Sequence, residues 1–170
     1  APDEDSIWRL VAQAVNEAGL ACVASRGKEG TALMKDLTEK LSGMVSLVDY
    51  VETFSAQIIE DYREKLTAKV EELLSGTPID EGRIATEVVL YADKICVDEE
   101  TVRLKSHIQS MLDILKEGGS VGRKLDFIAQ EMNREANTIL SKANSIDISN
   151  KAIDLKTEIE KVREQIQNIE

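Results

Sequence analysis

Val121-Gly122-Arg123-Lys124-Leu125-Asp126-Phe127-Ile128-Ala129-Gln130-Glu131-Met132-Asn133-Arg134-Glu135-Ala136-Asn137 is the stretch on which the fold turns. At about 100° per residue, Leu125, Ile128, Ala129, Met132, Ala136, Ile139 and Leu140 gather on one side, the apolar stripe of an amphipathic helix. The other side does not carry the interchangeable Glu and Lys of an ordinary solvated face. Phe127 lies there, in a helical row with Arg123 behind it and Gln130 and Arg134 ahead. Glu131 and Glu135, one turn apart, form a second row. An aromatic ring on a polar face marks a contact with another molecule or another helix, so this helix reads as a working surface.

Helical spacing extends in both directions. Toward the terminus Ile148, Ala152, Leu155, Ile159, Val162, Ile166 and Ile169 alternate four and three, a heptad seam. Upstream, Gly118-Gly119 breaks the chain, and Asp98-Glu99-Glu100 opens a helix with Leu104, Ile108, Met111 and Leu115 on its seam. Ile84, Val88, Tyr91 and Ile95 mark another, for which Thr77 is a candidate N-cap, Pro78 suits the first position and Asp80 adds acid to the first turn. Before Pro78, Leu33, Leu37, Leu41, Met44, Val48, Val51, Ile58, Tyr62, Leu66, Val70 and Leu73 trace one very long stripe. Ile7, Val11, Ala14, Ala18 and Cys22 keep helical spacing ahead of Gly27 and Gly30. Those glycines mark either a bend or a helix continuing at some cost. A stripe of this length predicts an arm or antiparallel hairpin packing against other helices. The expected fold is all-α: long antiparallel helices in an elongated bundle or hairpin, with a heptad-like C-terminal helix. Residues 1–76 form the arm and 77–170 a C-terminal helical domain.

Acidic residues outnumber basic ones by 32 to 21, a net charge of −11, which argues against a generic polyanion-binding surface. It does not exclude nucleic acid, because basic groups can cluster locally or be supplied by a missing segment. Cys22 and Cys96 have no partners at metal-ligand spacing and fall in helical patterns, so buried, reduced thiols in a cytoplasmic protein are expected. There is no long apolar run or signal-like start to support membrane insertion or export. No Gly-rich phosphate loop, Cys/His metal cluster or Ser-His-Asp arrangement is present.

Val121 to Asn137, followed by Ser141-Lys142 and the ending Arg163-Glu164-Gln165-Ile166-Gln167-Asn168-Ile169-Glu170, resembles the C-terminal part of the YicC-like endoribonuclease family. Glu87, Ala92-Asp93-Lys94, Asp98-Glu99-Glu100 and Arg103-Leu104-Lys105-Ser106-His107 resemble the segment before it. Tyr62-Arg63-Glu64-Lys65-Leu66, and Glu29-Gly30 with Asp36-Leu37, resemble the helical region before that. The likeness covers most of the chain, is most specific in the final third and weakens toward the first residues. It implies metal-dependent RNA cleavage by a homo-oligomer, a hexameric ring. Family members begin with a separate N-terminal domain carrying a Met-Thr-Gly-Phe-Gly-like start, which this sequence lacks. The chain is therefore expected to hold only the family's helical middle and C-terminal part.

The candidate sites each have two readings. Phe127, with Arg123, Gln130 and Arg134, suits stacking a base and gripping phosphates; alternatively the ring packs on a helix or subunit and the arginines form ion pairs. Glu131 and Glu135 suit one hard cation, Mg²⁺ or Mn²⁺, which would activate water or stabilise a phosphate transition state. Lys124 and Lys142 share that stripe, however, and such pairing on a solvated face is common. His107, the only histidine, suits proton transfer near neutrality, or else an interface position beside the seam between Arg103 and Met111. Glu87, Asp93 and Asp98-Glu99-Glu100 are further candidate ligands, although Asp98 reads equally well as an N-cap. Asn133 and Asn137, poor helix formers in mid-helix, hint at specific hydrogen bonds.

In the leading hypothesis Glu131 and Glu135, with Glu87 or Asp126, hold a divalent cation, Mn²⁺ or Mg²⁺, while His107 assists proton transfer. Arg103, Arg123, Lys124, Phe127, Arg134 and Lys142 meet the RNA. The reaction type comes from the resemblance; the shared faces come from helical geometry. The alternative is a non-catalytic helical oligomerisation or RNA-adaptor module, favoured by the acidic balance, the long arm and the heptad terminus.

Overall fold

A computed structural model describes residues 3–74, 76 and 80–169. Among them are five helices and no strand: α1 (Glu4–Leu74), α2 (Glu81–Ile95), α3 (Asp98–Glu117), α4 (Gly122–Lys142) and α5 (Ile146–Ile166). The all-α expectation holds. Contacts divide the chain into two compact units, Ala1–Thr38 and Glu39–Glu170.

In the first unit α1 runs unbroken through Gly27 and Gly30. The neighbouring Ala, Leu, Glu and Lys residues favour helix strongly enough to carry two glycines, each costing about 1 kcal/mol relative to Ala. Thr31 Oγ1 also donates to the Gly27 carbonyl at 2.9 Å. Residues 3–32 are exposed, including Ile7, Trp8, Leu10, Val11, Val15, Leu20 and Val23. Cys22 is therefore free and exposed, not buried as its helical spacing suggested. Cys96 is exposed too, because it is the C-cap of α2 and not part of a seam.

The long apolar stripe is buried over only part of its length. Leu37, Leu41, Met44, Val48 and Val51 are sequestered, Ile58, Tyr62, Leu66 and Val70 are half-buried, and Leu73 is exposed. Within the second unit α3, α4 and α5 run antiparallel in succession, joined by turns too short for any other arrangement. Each contributes its seam to one core. Leu104, Ile108 and Met111 come from α3, and Leu125, Ala129, Met132, Ala136 and Ile139 from α4. The six heptad positions Ile148 to Ile166 come from α5. Lys105 Nζ on α3 lies 2.7 Å from both Asp49 and Glu52 of α1. The hydrogen bond to Asp49, then that to Glu52, holds its ammonium above the ordinary lysine pKa. Lys151 of α5 caps the Tyr50 ring at 5.4 Å. Tyr91 of α2 stacks on Tyr62 of α1, with ring centroids 3.8 Å apart, and is hydrogen-bonded by Asn144.

The caps differ from the expected ones. Thr77 and Pro78 lie outside the described residues, and Asp80 is the N-cap of α2, accepting from Gly82 and Arg83. Val97, not Asp98, occupies the N-cap of α3, which puts the three acids in its first turn where they favour the helix dipole. Ser145 caps α5 by accepting from the Ile148 N–H. Gly122, at the start of α4, allows the closest backbone approach in this corner: a Cβ there would lie 2.5 Å from the Ile169 carbonyl oxygen.

Candidate functional site

Helix α4 has two polar borders and an outer ridge. Its side-chain rows are set by the 3.6-residue period, but which row meets which helix follows from the antiparallel packing.

The first border faces α3. Glu135 is buried, and its Oε1 lies 3.6 Å from Arg103 Nη1. Arg103 Nη2 also reaches Glu99 at 3.0 Å, one turn back on α3. Farther along the same border Lys142 Nζ donates to Glu100 Oε1 and to the Cys96 carbonyl, each at 2.9 Å. Glu100 is buried as deeply as Glu135, and its Oε2 is sequestered with no hydrogen-bond partner. Because the helices are antiparallel, the next turn of α3 after Arg103, which bears His107, runs toward the turn of α4 before Glu135, which bears Glu131. Both His107 and Glu131 are half-buried. Arg103, His107, Glu131, Glu135 and Lys142 thus lie along one interhelical seam.

The opposite border faces α5. Asp126 Oδ1 accepts from Arg163 Nε at 3.0 Å, and its other oxygen accepts from Gln130 at 2.7 Å. The hydrogen bond from Arg163 leads the effects that hold the Asp126 carboxyl below the ordinary carboxylate pKa. Asn133 is half-buried on this side, lining a groove of about 570 Å³ with Lys156, Thr157, Glu160 and Lys161 of α5.

The outer ridge carries Arg123, Lys124, Phe127 and Arg134, all exposed. Phe127 is 62% exposed, so most of its ring faces solvent. Arg134 approaches Glu131 at 4.0 Å, which brings the ridge to the edge of the α3 seam.

Neither Glu87 nor Asp126, the alternatives expected to join Glu131 and Glu135 on a cation, lies with that pair. Asp126 is turned toward α5 and satisfied by Arg163, Glu135 is turned toward α3, and Glu87 is exposed on α2. Among the described residues, then, no set of three or more His, Cys, Asp or Glu side chains is placed to hold the divalent cation that the resemblance implies. Glu100, which the sequence offered only as a further candidate ligand within Asp98-Glu99-Glu100, enters the seam through Lys142. Its first-turn position disguises it as a dipole-favouring acid, and only the i,i+3 spacing to Arg103 hinted that it shares a face with the site.

The arrangement is a basic ridge with an exposed aromatic beside a seam of paired acids and bases. Comparison with known proteins gives the family. The family model for endoribonuclease YicC-like proteins, C-terminal, matches residues 51–170. The chain is 45% identical over 169 residues to a probable endoribonuclease YicC of Clostridioides difficile (strain 630), covering 99% of this chain and 58% of that protein. It is 38% identical over 168 residues to a probable endoribonuclease YicC of Haemophilus influenzae (strain ATCC 51907 / DSM 11121 / KW20 / Rd), again covering 99% and 58%. The chain belongs to the YicC-like endoribonuclease family, and it spans 58% of the length of these curated relatives. Among the described residues no helix is long and apolar enough to cross a membrane.

Proposed function

We propose that this chain supplies the RNA-contacting and cleaving surface of a cytoplasmic endoribonuclease. The observation that carries the reading is the α3/α4 seam, where Arg103 meets Glu135 and Lys142 meets Glu100, with His107 and Glu131 on adjoining turns. Arg103, Lys142 and the ridge residues Arg123, Lys124 and Arg134 are the phosphate contacts, and Phe127 is a stacking platform for a base. His107 moves the proton at the reacting oxygen, since an imidazole can both accept and donate one. Glu135, buried against Arg103, orients that guanidinium.

The proposal extends to a divalent cation, Mn²⁺ or Mg²⁺, drawing on Glu131 and Glu135 together with ligands from outside this chain, and to work as a homo-oligomer, a hexamer by family resemblance. The exposed apolar side chains Ile7, Trp8, Leu10 and Val11 support assembly, because monomers rarely leave such a face in water. A structured RNA incubated with the protein, with and without Mn²⁺ or EDTA, tests the reading. Cleavage that is lost in His107→Ala and Glu135→Gln is expected. Cleavage that survives EDTA and Glu131→Gln overturns the cation, and no cleavage under any condition overturns the nuclease.

A second reading, an RNA-adaptor or oligomerisation module without chemistry, is favoured by the net charge of −11. Tight RNA binding with no cleavage, both by this chain and by a protein of the relatives' full length, would establish it.

A further inference from the structure

We propose that Glu100 reads the ribose 2′-hydroxyl of the bound strand, so that the α3/α4 seam distinguishes RNA from DNA. This role rests on the ribonuclease function proposed for the same seam.

Glu100 lies in the first turn of α3, is 5% exposed, and directs its carboxylate across to α4, where Oε1 accepts from Lys142. Its second oxygen, Oε2, is buried without any hydrogen-bond partner. A carboxylate oxygen stripped of water and given no donor in exchange is costly, more so than a neutral group. A ligand that brings a donor to it recovers that loss.

The neighbours narrow the donor's chemistry. Lys142 has three N–H donors and spends two of them, on Glu100 Oε1 and the Cys96 carbonyl, leaving one for an anion. Arg103 stands one turn farther along α3, with half of its side chain in solvent. These cations select a phosphodiester. In a nucleic acid the hydroxyl donor next to the phosphodiester is the 2′-hydroxyl, which RNA carries and DNA lacks. About a third of the Lys142 side chain meets solvent (34%), so a phosphate can draw its ammonium outward and open the carboxylate to the hydroxyl beside it. Hydrogen bonds to an ionised acceptor are roughly twice as strong as neutral ones, which suits the contact to discrimination.

The test measures equilibrium binding of the full chain, in EDTA, to a short single-stranded RNA, to DNA of the same sequence, and to the same RNA with 2′-O-methyl groups. Wild type is expected to bind the RNA roughly tenfold more tightly than either analogue, the share of one hydrogen bond to a charged group. Glu100→Gln, which frees Lys142 for the phosphates of either strand, is expected to bring the RNA-to-DNA affinity ratio down to about one. Equal wild-type affinity for RNA and its 2′-O-methyl form overturns the proposal, as does a Glu100→Gln protein that keeps the full preference. The 2′-O-methyl arm uses the wild-type protein alone, so it remains decisive even where Glu100→Gln fails to fold. Cleavage of RNA without a binding preference over DNA sinks this proposal alone; failure to bind or cleave RNA at all sinks it together with the nuclease.

Discussion

Arg163 Nε donates to Asp126 Oδ1 at 3.0 Å, tying the last turn of α5 to the start of α4. The guanidinium favours the ionised carboxyl in the folded state, which lowers the Asp126 pKa below its ordinary value of 3.8. A lowered carboxylate pKa adds stability that is present above the unfolded-state value and lost as pH falls through the folded one. Asp126→Asn should therefore destabilise the protein at pH 7 and do so much less at pH 3, by urea midpoints at both values. The effect should be small and weaken with salt, because 39% of the Asp126 side chain meets solvent. An equal loss at both pH values would mean the ion pair is not its source.

Arg103 is the counter-ion of a buried acid. Arg103→Met leaves Glu135, with 7% of its side chain exposed, facing no cation. A loss of about 1–3 kcal/mol is expected, as for a buried acceptor deprived of its partner. Arg103→Met with Glu135→Met should recover most of it, since an apolar pair removes the unpaired charge. A denaturant double-mutant cycle measures the coupling; strictly additive losses would contradict a direct contact.

Phe127 separates stacking from packing. With its ring largely in solvent, Phe127→Ala should leave stability within about 0.5 kcal/mol of wild type. RNA affinity should fall by about 1–3 kcal/mol, the range for loss of one stacked base. Gel filtration alongside a binding titration decides the matter, because a ring buried between subunits would instead shift the oligomeric state.

Two helical glycines should respond in opposite directions to alanine. Nothing lies within 4 Å of a Cβ built at Gly43, so Gly43→Ala should gain about 0.5–1 kcal/mol from better helix propensity. At Gly122 the added Cβ would lie 2.5 Å from the Ile169 carbonyl oxygen, a backbone atom that cannot swing aside. Gly122→Ala should lower the thermal midpoint, and a rise would show that the chain end yields freely.

The heptad positions Ile148 to Ile166 and the α4 stripe were legible because helical periodicity is a local property, and nearly all of those side chains are buried. The exposed Phe127 was legible for the same reason: it falls on the wrong side of the stripe. The caps were less so. Asp80 and Val97 took roles the sequence suggested for neighbours, since an N-cap is fixed by where the backbone leaves the extended region, and several polar residues stood close enough to serve. Cys22 is exposed against expectation because helical spacing says which face a residue shares, not whether another helix covers that face, and Cys96 because its helix ends there.

By itself, the sequence determined that this protein is helical, where α3, α4 and α5 run, and which residues share a face, because 3.6-residue periodicity acts within a dozen residues. Tertiary structure alone decided the partners. Asp126 turns to Arg163 and away from Glu135, Glu135 is buried against Arg103, and Glu100 joins the site through Lys142, 42 residues away. Those pairings depend on which helices lie side by side and at what height, and periodicity along one helix carries no information about either.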